Sequence, residues 1–223
     1  MSWRGSYIGF MMAAALVSGC QIQVFGQNEY WHQRVSLFEL LPIGEEDIVF
    51  LGNSITDGGE FAELFDDNRI KNRGISSDVV GGVAKRLGQV VSGHPKKIFL
   101  LVGINDVSHN LSAGEIAADY ERFVERIRRE SPSTRLYIQS VMPINNDFGR
   151  YRNLKGKEKV IPELNTLLTG IADRYDAVYI DLWPILAEPE TGKLRREFTN
   201  DGLHLMGKGY RAWTQAIEKY VKD

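Results

Sequence analysis

The sequence contains a single cysteine, Cys20, in 223 residues. No internal disulfide can form, so stability has to come from packing. Neither sign of charge is in excess: 27 basic and 29 acidic residues give a formal net charge of -2, which sets up no broad field to attract a polynucleotide or an anionic membrane surface. No internal repeat, low-complexity tract or linker interrupts the chain. What is present is the make-up of one globular α/β domain, 43% hydrophobic and 25% charged, long enough to bury a real core.

The first residues read differently. Arg4 is followed by an apolar run, residues 7–17, too short to span a bilayer as a stable helix and suited to the core of a secretory signal. Two cleavage sites compete within residues 1–26. Val17-Ser18-Gly19-Cys20 is similar to a bacterial lipobox, in which Cys20 would be lipidated and become the new N-terminus. Ordinary cleavage after Val24-Phe25-Gly26 would instead leave Gln27 first. On either route residues 27–223 hold the folded domain. The expected location is outside the cytoplasm: periplasmic, extracellular or anchored to the membrane as a lipoprotein.

The domain is organised around Ile48-Val49-Phe50-Leu51, an apolar run that stops abruptly at Gly52-Asn53-Ser54. This is the pattern of a buried parallel strand delivering a serine to its carboxyl end. Before it, Trp31, Val35, Phe38 and Leu41 recur at helical spacing, and Pro42 and Gly44 end that helix. After it, Phe61, Leu64 and Phe65 predict a short helix, and residues 69–74 a short second strand. Ser77 or Asp78 is placed to cap a helix with Val79, Val80, Val83, Leu87, Val90 and Val91 on one face.

The third strand is residues 97–102, halted by Gly103. Ser112 and Glu115 form a capping box for a helix whose inner face includes Ile116, Tyr120, Phe123 and Ile127. Residues 135–142 predict a fourth strand, followed by a polar loop over 145–159. The next helix bears Leu164, Leu168 and Ile171, with Pro162 either in its first turn or at a kink. Residues 177–181 predict the fifth strand, and Tyr210, Trp213, Ile217 and Val221 mark the last helix. Near-continuous apolar strands alternating with helices imply a parallel sheet covered on both faces.

Ligands bind such sheets at the carboxyl ends of the strands. Three loops meet there, holding Gly52-Asn53-Ser54, Asn72-Arg73-Gly74 and Gly103-Ile104-Asn105-Asp106, and a fourth segment, Asn200-Asp201-Gly202-Leu203-His204, precedes the last helix. Taken alone, Ser54 could be no more than a helix cap. The four segments together supply what ester hydrolysis needs: a nucleophile, a base, a group that orients the base, and donors for the oxyanion. Ser54 would attack, His204 would take its proton, and Asp201 would fix the imidazole tautomer. The backbone N–H groups of Ser54 and Gly74, with the side-chain amide of Asn105, would hold the oxyanion.

In these residues the chain resembles the SGNH or GDSL-type hydrolases, whose blocks centre on a serine, a glycine, an asparagine and an Asp-x-x-His pair. Ser54, Gly74, Asn105 and Asp201 with His204 follow the family's order, and the resemblance runs from about residue 47 to the C-terminus. It implies a flavodoxin-like three-layer α/β/α sandwich with a five-stranded parallel sheet, and neither metal nor organic cofactor. One departure is Asn53, where the family's name places an aspartate before the serine; it bears on the electrostatics of that loop. The α/β-hydrolase elbow Gly-x-Ser-x-Gly does not fit, because Thr56 stands where its second glycine would be.

The remaining candidates have plainer readings. His32, His94 and His109 are expected to be surface or packing residues, and Asp106 to hold the Asn105 loop. The loops expected to choose the substrate are polar, with Asn145, Asn146, Arg150, Tyr151 and Arg152 on one and Glu188, Glu190, Lys193, Arg195 and Arg196 on another. A small acyl group on a polar alcohol suits them better than a long acyl chain, which would need apolar lining at about 0.8 kcal/mol per buried methylene. The expectation is therefore an O-acetylesterase acting on carbohydrate, such as a glycan or sialic acid. A lysophospholipase, a thioesterase, a lipid acetylhydrolase and a non-catalytic glycan-binding module stand as alternatives.

Overall fold

The computed structural model describes residues 27–223. The apolar run at 7–17 and both cleavage sites expected in 1–26, with Cys20, lie outside the described residues. Among the described residues no helix is long and apolar enough to cross a membrane.

Five strands, β1 (Ile48–Gly52), β2 (Ile70–Gly74), β3 (Lys97–Leu101), β4 (Arg135–Gln139) and β5 (Val178–Ile180), form a parallel sheet in the order β2-β1-β3-β4-β5. β1 and β3 lie inside the sheet and are buried at every position, which is why β1, and β3 after its leading Lys97, read as apolar runs. From β1 the chain moves one way to β2, then returns past β1 to β3, β4 and β5. That reversal opens a crevice at the carboxyl ends of β1 and β3.

Register explains one face of the sheet. Phe50 pairs with Phe99, and Phe99 with Tyr137, so their rings stack in a row with centroids 4.9 and 4.5 Å apart. Phe61 stacks on Phe50 at 4.1 Å, and Trp213 meets Phe61 edge-on at 5.0 Å. Each such ring pair contributes about 0.5–1.5 kcal/mol beyond its buried area. The row thus fastens α3 (Phe61–Phe65) and α10 (Gly207–Lys222) to this face.

The second helical layer holds α4 (Val80–Lys85), α7 (Ala113–Glu130) and α8 (Val160–Arg174), which pack on one another. α1 (Glu29–Glu39) adds a satellite cluster of Trp31 and Phe38 with Ile75. The short helices α2 (Ser54–Asp57), α5 (Gly88–Val91), α6 (Ile104–Ser108) and α9 (Trp183–Leu186) complete the three-layer α/β/α sandwich. The Ser112–Glu115 capping box opens α7 as its sequence predicts, and Pro162 sits in the first turn of α8. Lys97 is buried, and its Nζ donates to the carbonyls of Tyr220 and Val221 at 2.8 and 3.0 Å. These bonds satisfy carbonyls at the end of α10 and tie it to the start of β3.

The segment after β2 departs from its sequence reading. One helix over 79–91 is replaced by α4 and α5, and neither Ser77 nor Asp78 caps the first of them. Asp78 instead forms a buried ion pair with Arg86, Oδ2 to Nε at 2.8 Å, and its Oδ1 accepts from the Trp31 indole at 3.2 Å. Arg86 also donates to the carbonyls of Gly52 and Arg73, each at 2.9 Å. Arg86 itself stands at φ -97° and ψ 9°, off the helical path, and the helix ends there. The first-turn N–H of Val80 is met from another part of the chain, by the Asp106 carboxylate at 3.2 Å.

Candidate active site

β1 ends at Gly52, and the chain turns at once into α2. Asn53 is the N-cap, its side-chain oxygen accepting from the Ile55 N–H at 3.1 Å. Ser54 is therefore not the cap, and its hydroxyl is left free to face the crevice, where Oγ lies 3.0 Å from His204 Nε2. The Asn53 amide is wholly buried, and its Nδ2 has no partner among the described residues. Tyr210 of α10 braces the turn from below by donating to the Ile55 carbonyl at 2.9 Å.

His204 is presented by a tight turn over residues 199–204. Thr199 Oγ1 accepts from the N–H groups of Asp201 and Gly202, at 3.3 and 2.9 Å. Asp201 Oδ1 accepts from those of Leu203 and His204, at 2.9 and 2.8 Å. Gly202 is required here: its φ is +89°, and a Cβ would lie 2.1 Å from the Asn145 carbonyl oxygen. With Oδ1 occupied, Oδ2 turns to the imidazole and lies 2.8 Å from His204 Nδ1. Serine, histidine and aspartate thus form one continuous hydrogen-bonded chain.

A fourth side chain joins it. Tyr151 donates its hydroxyl to Asp201 Oδ2 at 2.9 Å, and the Tyr151 hydroxyl oxygen itself lies 2.9 Å from His204 Nδ1. Burial alone would push the Asp201 carboxyl up. The hydrogen bonds from His204, Leu203 and Tyr151 outweigh it and hold the group below the ordinary carboxylate range. The same contact, with burial, pushes the Tyr151 hydroxyl up to about 12. Tyr151 stands in the sequence only as one polar residue of a long loop, and no spacing marks it as a partner of Asp201.

The expected oxyanion donors divide. Asn105, at the start of α6, lines the same cavity as Ser54 and His204, a space of about 350 Å³. One amide hydrogen of its Nδ2 is donated to the Asp78 carbonyl at 2.8 Å, which orients the group and leaves the other available. Gly74 must be corrected. Its N–H is already donated to Asn72 Oδ1 at 2.7 Å, it does not line the cavity, and an added Cβ would sit 2.1 Å from the Asp57 nitrogen. Glycine stands there because β2 passes so close to α2. Two residues follow β2 into the cavity wall: the Ser76 N–H is donated to Asp57 Oδ2 at 3.2 Å, whereas Ser77 is in the left-handed region at φ +66° and its N–H has no acceptor among the described residues.

Behind these groups lies Asp106, 1% exposed and bonded to the Val80 N–H, so it holds its loop to α4 as expected. Burial pushes its carboxyl up to about 7, against the pull of that N–H. The other histidines stand apart from the serine. His109 Nδ1 is 2.7 Å from the Asn105 carbonyl, His94 Nδ1 is 3.3 Å from Ser131 Oγ, and His32 lies edge-on to Trp31. Among the described residues no group of three or more His, Cys, Asp or Glu is placed to hold a metal.

Comparison with known proteins places this geometry in context. The pattern of the GDSL-like lipase/acylhydrolase family matches residues 50–212. The chain is 25% identical over 181 residues to the N-acylneuraminate cytidylyltransferase of Escherichia coli, covering 79% of this chain and 40% of that protein. It is 30% identical over 105 residues to the platelet-activating factor acetylhydrolase IB subunit alpha2 of Homo sapiens, covering 44% of this chain and 45% of that one. The chain thus spans less than half the length of these curated relatives. Among solved structures, an acetyl-xylooligosaccharide esterase from Geobacillus shares the fold with a TM-score of 0.64 at 18% identity, covering 81% of this chain and 96% of the other.

Proposed function

Because the chain belongs to the GDSL-like lipase/acylhydrolase family, with residues 50–212 matching its pattern, we propose that it is a serine carboxylic ester hydrolase that removes small acyl groups, acetyl above all, from carbohydrate. The observation that carries this reading is the unbroken chain from Ser54 Oγ to His204 Nε2 at 3.0 Å and from His204 Nδ1 to Asp201 Oδ2 at 2.8 Å, open to a cavity.

The reaction follows from that geometry. Ser54 Oγ attacks the ester carbonyl carbon while His204 Nε2 accepts its proton, and Asp201 stabilises the imidazolium that results. The carbonyl oxygen takes up negative charge and is held by the N–H of Ser54, the N–H of Ser77 and the free amide hydrogen of Asn105. As the tetrahedral intermediate collapses, the alkoxide leaves with the proton from His204, and the acyl group stays on Ser54. Water, deprotonated by the same imidazole, then releases the acid and restores the serine.

The lining of the cavity supports a short acyl group on a polar alcohol. Among the described residues its lining is serines, asparagines and arginines with Tyr151 and His204, and Leu154 and Leu203 are the aliphatic members, too little apolar surface to bind a long chain. This disfavours the lysophospholipase alternative. The names of two similar proteins, an acetylhydrolase and an acetyl-xylooligosaccharide esterase, point the same way. The apolar run at 7–17 supports export, which would bring the enzyme to glycans outside the cytoplasm. The purified protein should turn over p-nitrophenyl acetate at least about tenfold faster, in kcat/KM, than the octanoate ester. A preference for octanoate would replace this reading with a lipase, and no turnover of either would favour a glycan-binding module.

A further inference from the structure

One wall of the cavity is a single run of chain, Arg150 to Leu154. It is anchored at several points: Leu154 is buried, Tyr151 is bonded to Asp201 at 2.9 Å, and Lys157 just beyond donates to the carbonyls of Val107 and Ser108, each at 3.0 Å. The two arginines that flank Tyr151 are exposed, and neither side chain makes a hydrogen bond or ion pair among the described residues. The acids near them are engaged elsewhere. Asp147 is paired with Lys193 at 2.7 Å and Arg196 at 3.8 Å, and Glu158 accepts from the Asn146 amide. Among the described residues no carboxylate lines the cavity.

The space beside Ser54 therefore has two arginines on one short ledge, anchored through its backbone, with guanidinium groups that have no salt-bridge partner among the described residues. A guanidinium offers paired N–H groups whose spacing matches a carboxylate, and a concave wall concentrates the field of both. A neutral acetylated sugar has no group that uses them. A phospholipid has a phosphate that could, but its acyl chains would find only two leucines, whereas the hydroxyl and amide groups around the rest of the cavity match the hydroxyls of a sugar. We infer that the acyl group is removed from an acidic sugar, one carrying a carboxylate near its ester, and that Arg150 and Arg152 hold that carboxylate. This rests on the esterase reading above and narrows its substrate class.

The test compares acetate release from O-acetylated glucuronic acid and from its uronamide, which differ only in the charge of one group. Wild type should prefer the acid by at least about tenfold in kcat/KM, the usual weight of a charge-assisted bond, and added salt should erode that preference. In Arg150→Gln/Arg152→Gln, and to a smaller degree in each single variant, the ratio of acid to amide should fall toward one. Circular dichroism would check the fold, which two exposed, unpartnered side chains should not disturb. Equal turnover of acid and amide by wild type, or a preference that survives the double substitution, would overturn the inference. In either case turnover of p-nitrophenyl acetate would leave ester hydrolysis standing, and its absence in the folded enzyme would remove both. Faster release from acetylglycerol phosphate than from the uronate would overturn the sugar carboxylate and assign the arginines to a phosphate.

Discussion

Ser77 carries a backbone conformation that glycine adopts more readily, at φ +66°, and the oxyanion role proposed for it lies in its N–H rather than its hydroxyl. Ser77→Gly keeps that N–H and relieves a strain of about 1 kcal/mol, so activity should stay within about threefold of wild type. Asn105→Ala removes a donor outright and should lower kcat by about a hundredfold or more. Steady-state kinetics of the two variants separates the cases. A collapse of activity in Ser77→Gly would mean that the hydroxyl acts, and a change in KM alone for Asn105→Ala would make that amide a substrate-binding group. The sequence points to Gly74 because glycine suggests a backbone that must bend. The bend falls instead at Ser77, while Gly74 answers a close approach between β2 and Asp57, a tertiary fact with no local mark.

At the scale of elements, the oxyanion side of the site is held from behind by the Asp78–Arg86 pair, which bridges the ends of β1 and β2 to α4 and to the Trp31 indole of α1. Both side chains are wholly buried. Arg86→Leu would leave the Asp78 carboxylate buried without its counter-charge, and stability should fall by about 3–5 kcal/mol. Urea denaturation measures this, and a loss below about 1 kcal/mol would show that the pair is not the clamp described. β1, β3 and β4 were legible because their apolar runs stop at Gly52, Gly103 and Pro143, and the opening of α7 because Ser112 and Glu115 sit three residues apart. The break between α4 and α5 was not. It falls at Arg86, whose guanidinium is bonded to the carbonyls of residues 52 and 73, partners that no local pattern marks. Tyr151 was hidden for the same reason, lying 50 residues from the aspartate it binds.

For the whole molecule, the central parallel strands bring Ser54 and Asn105 to one crevice, and α10 is seated by the aromatic row so that the turn before it delivers His204. Burying Asp106 beneath that crevice leaves a mark on stability. Its pKa is raised from the ordinary carboxylate range to about 7, so the folded state holds a proton that the unfolded chain releases. Its contribution is full below about pH 4 and is lost as pH rises through about 7. Asp106→Asn keeps an acceptor for the Val80 N–H without the charge, so its melting temperature relative to wild type should climb between about pH 4 and 7. A difference that does not vary with pH would show that Asp106 does not titrate in that window. Ser54 as the nucleophile is put to the test by p-nitrophenyl acetate turnover in Ser54→Ala. A loss of at least about a thousandfold in kcat is expected with the melting temperature almost unmoved, since among the described residues the hydroxyl is bonded to His204 and to no other group. Turnover at the wild-type rate by the folded variant would contradict it.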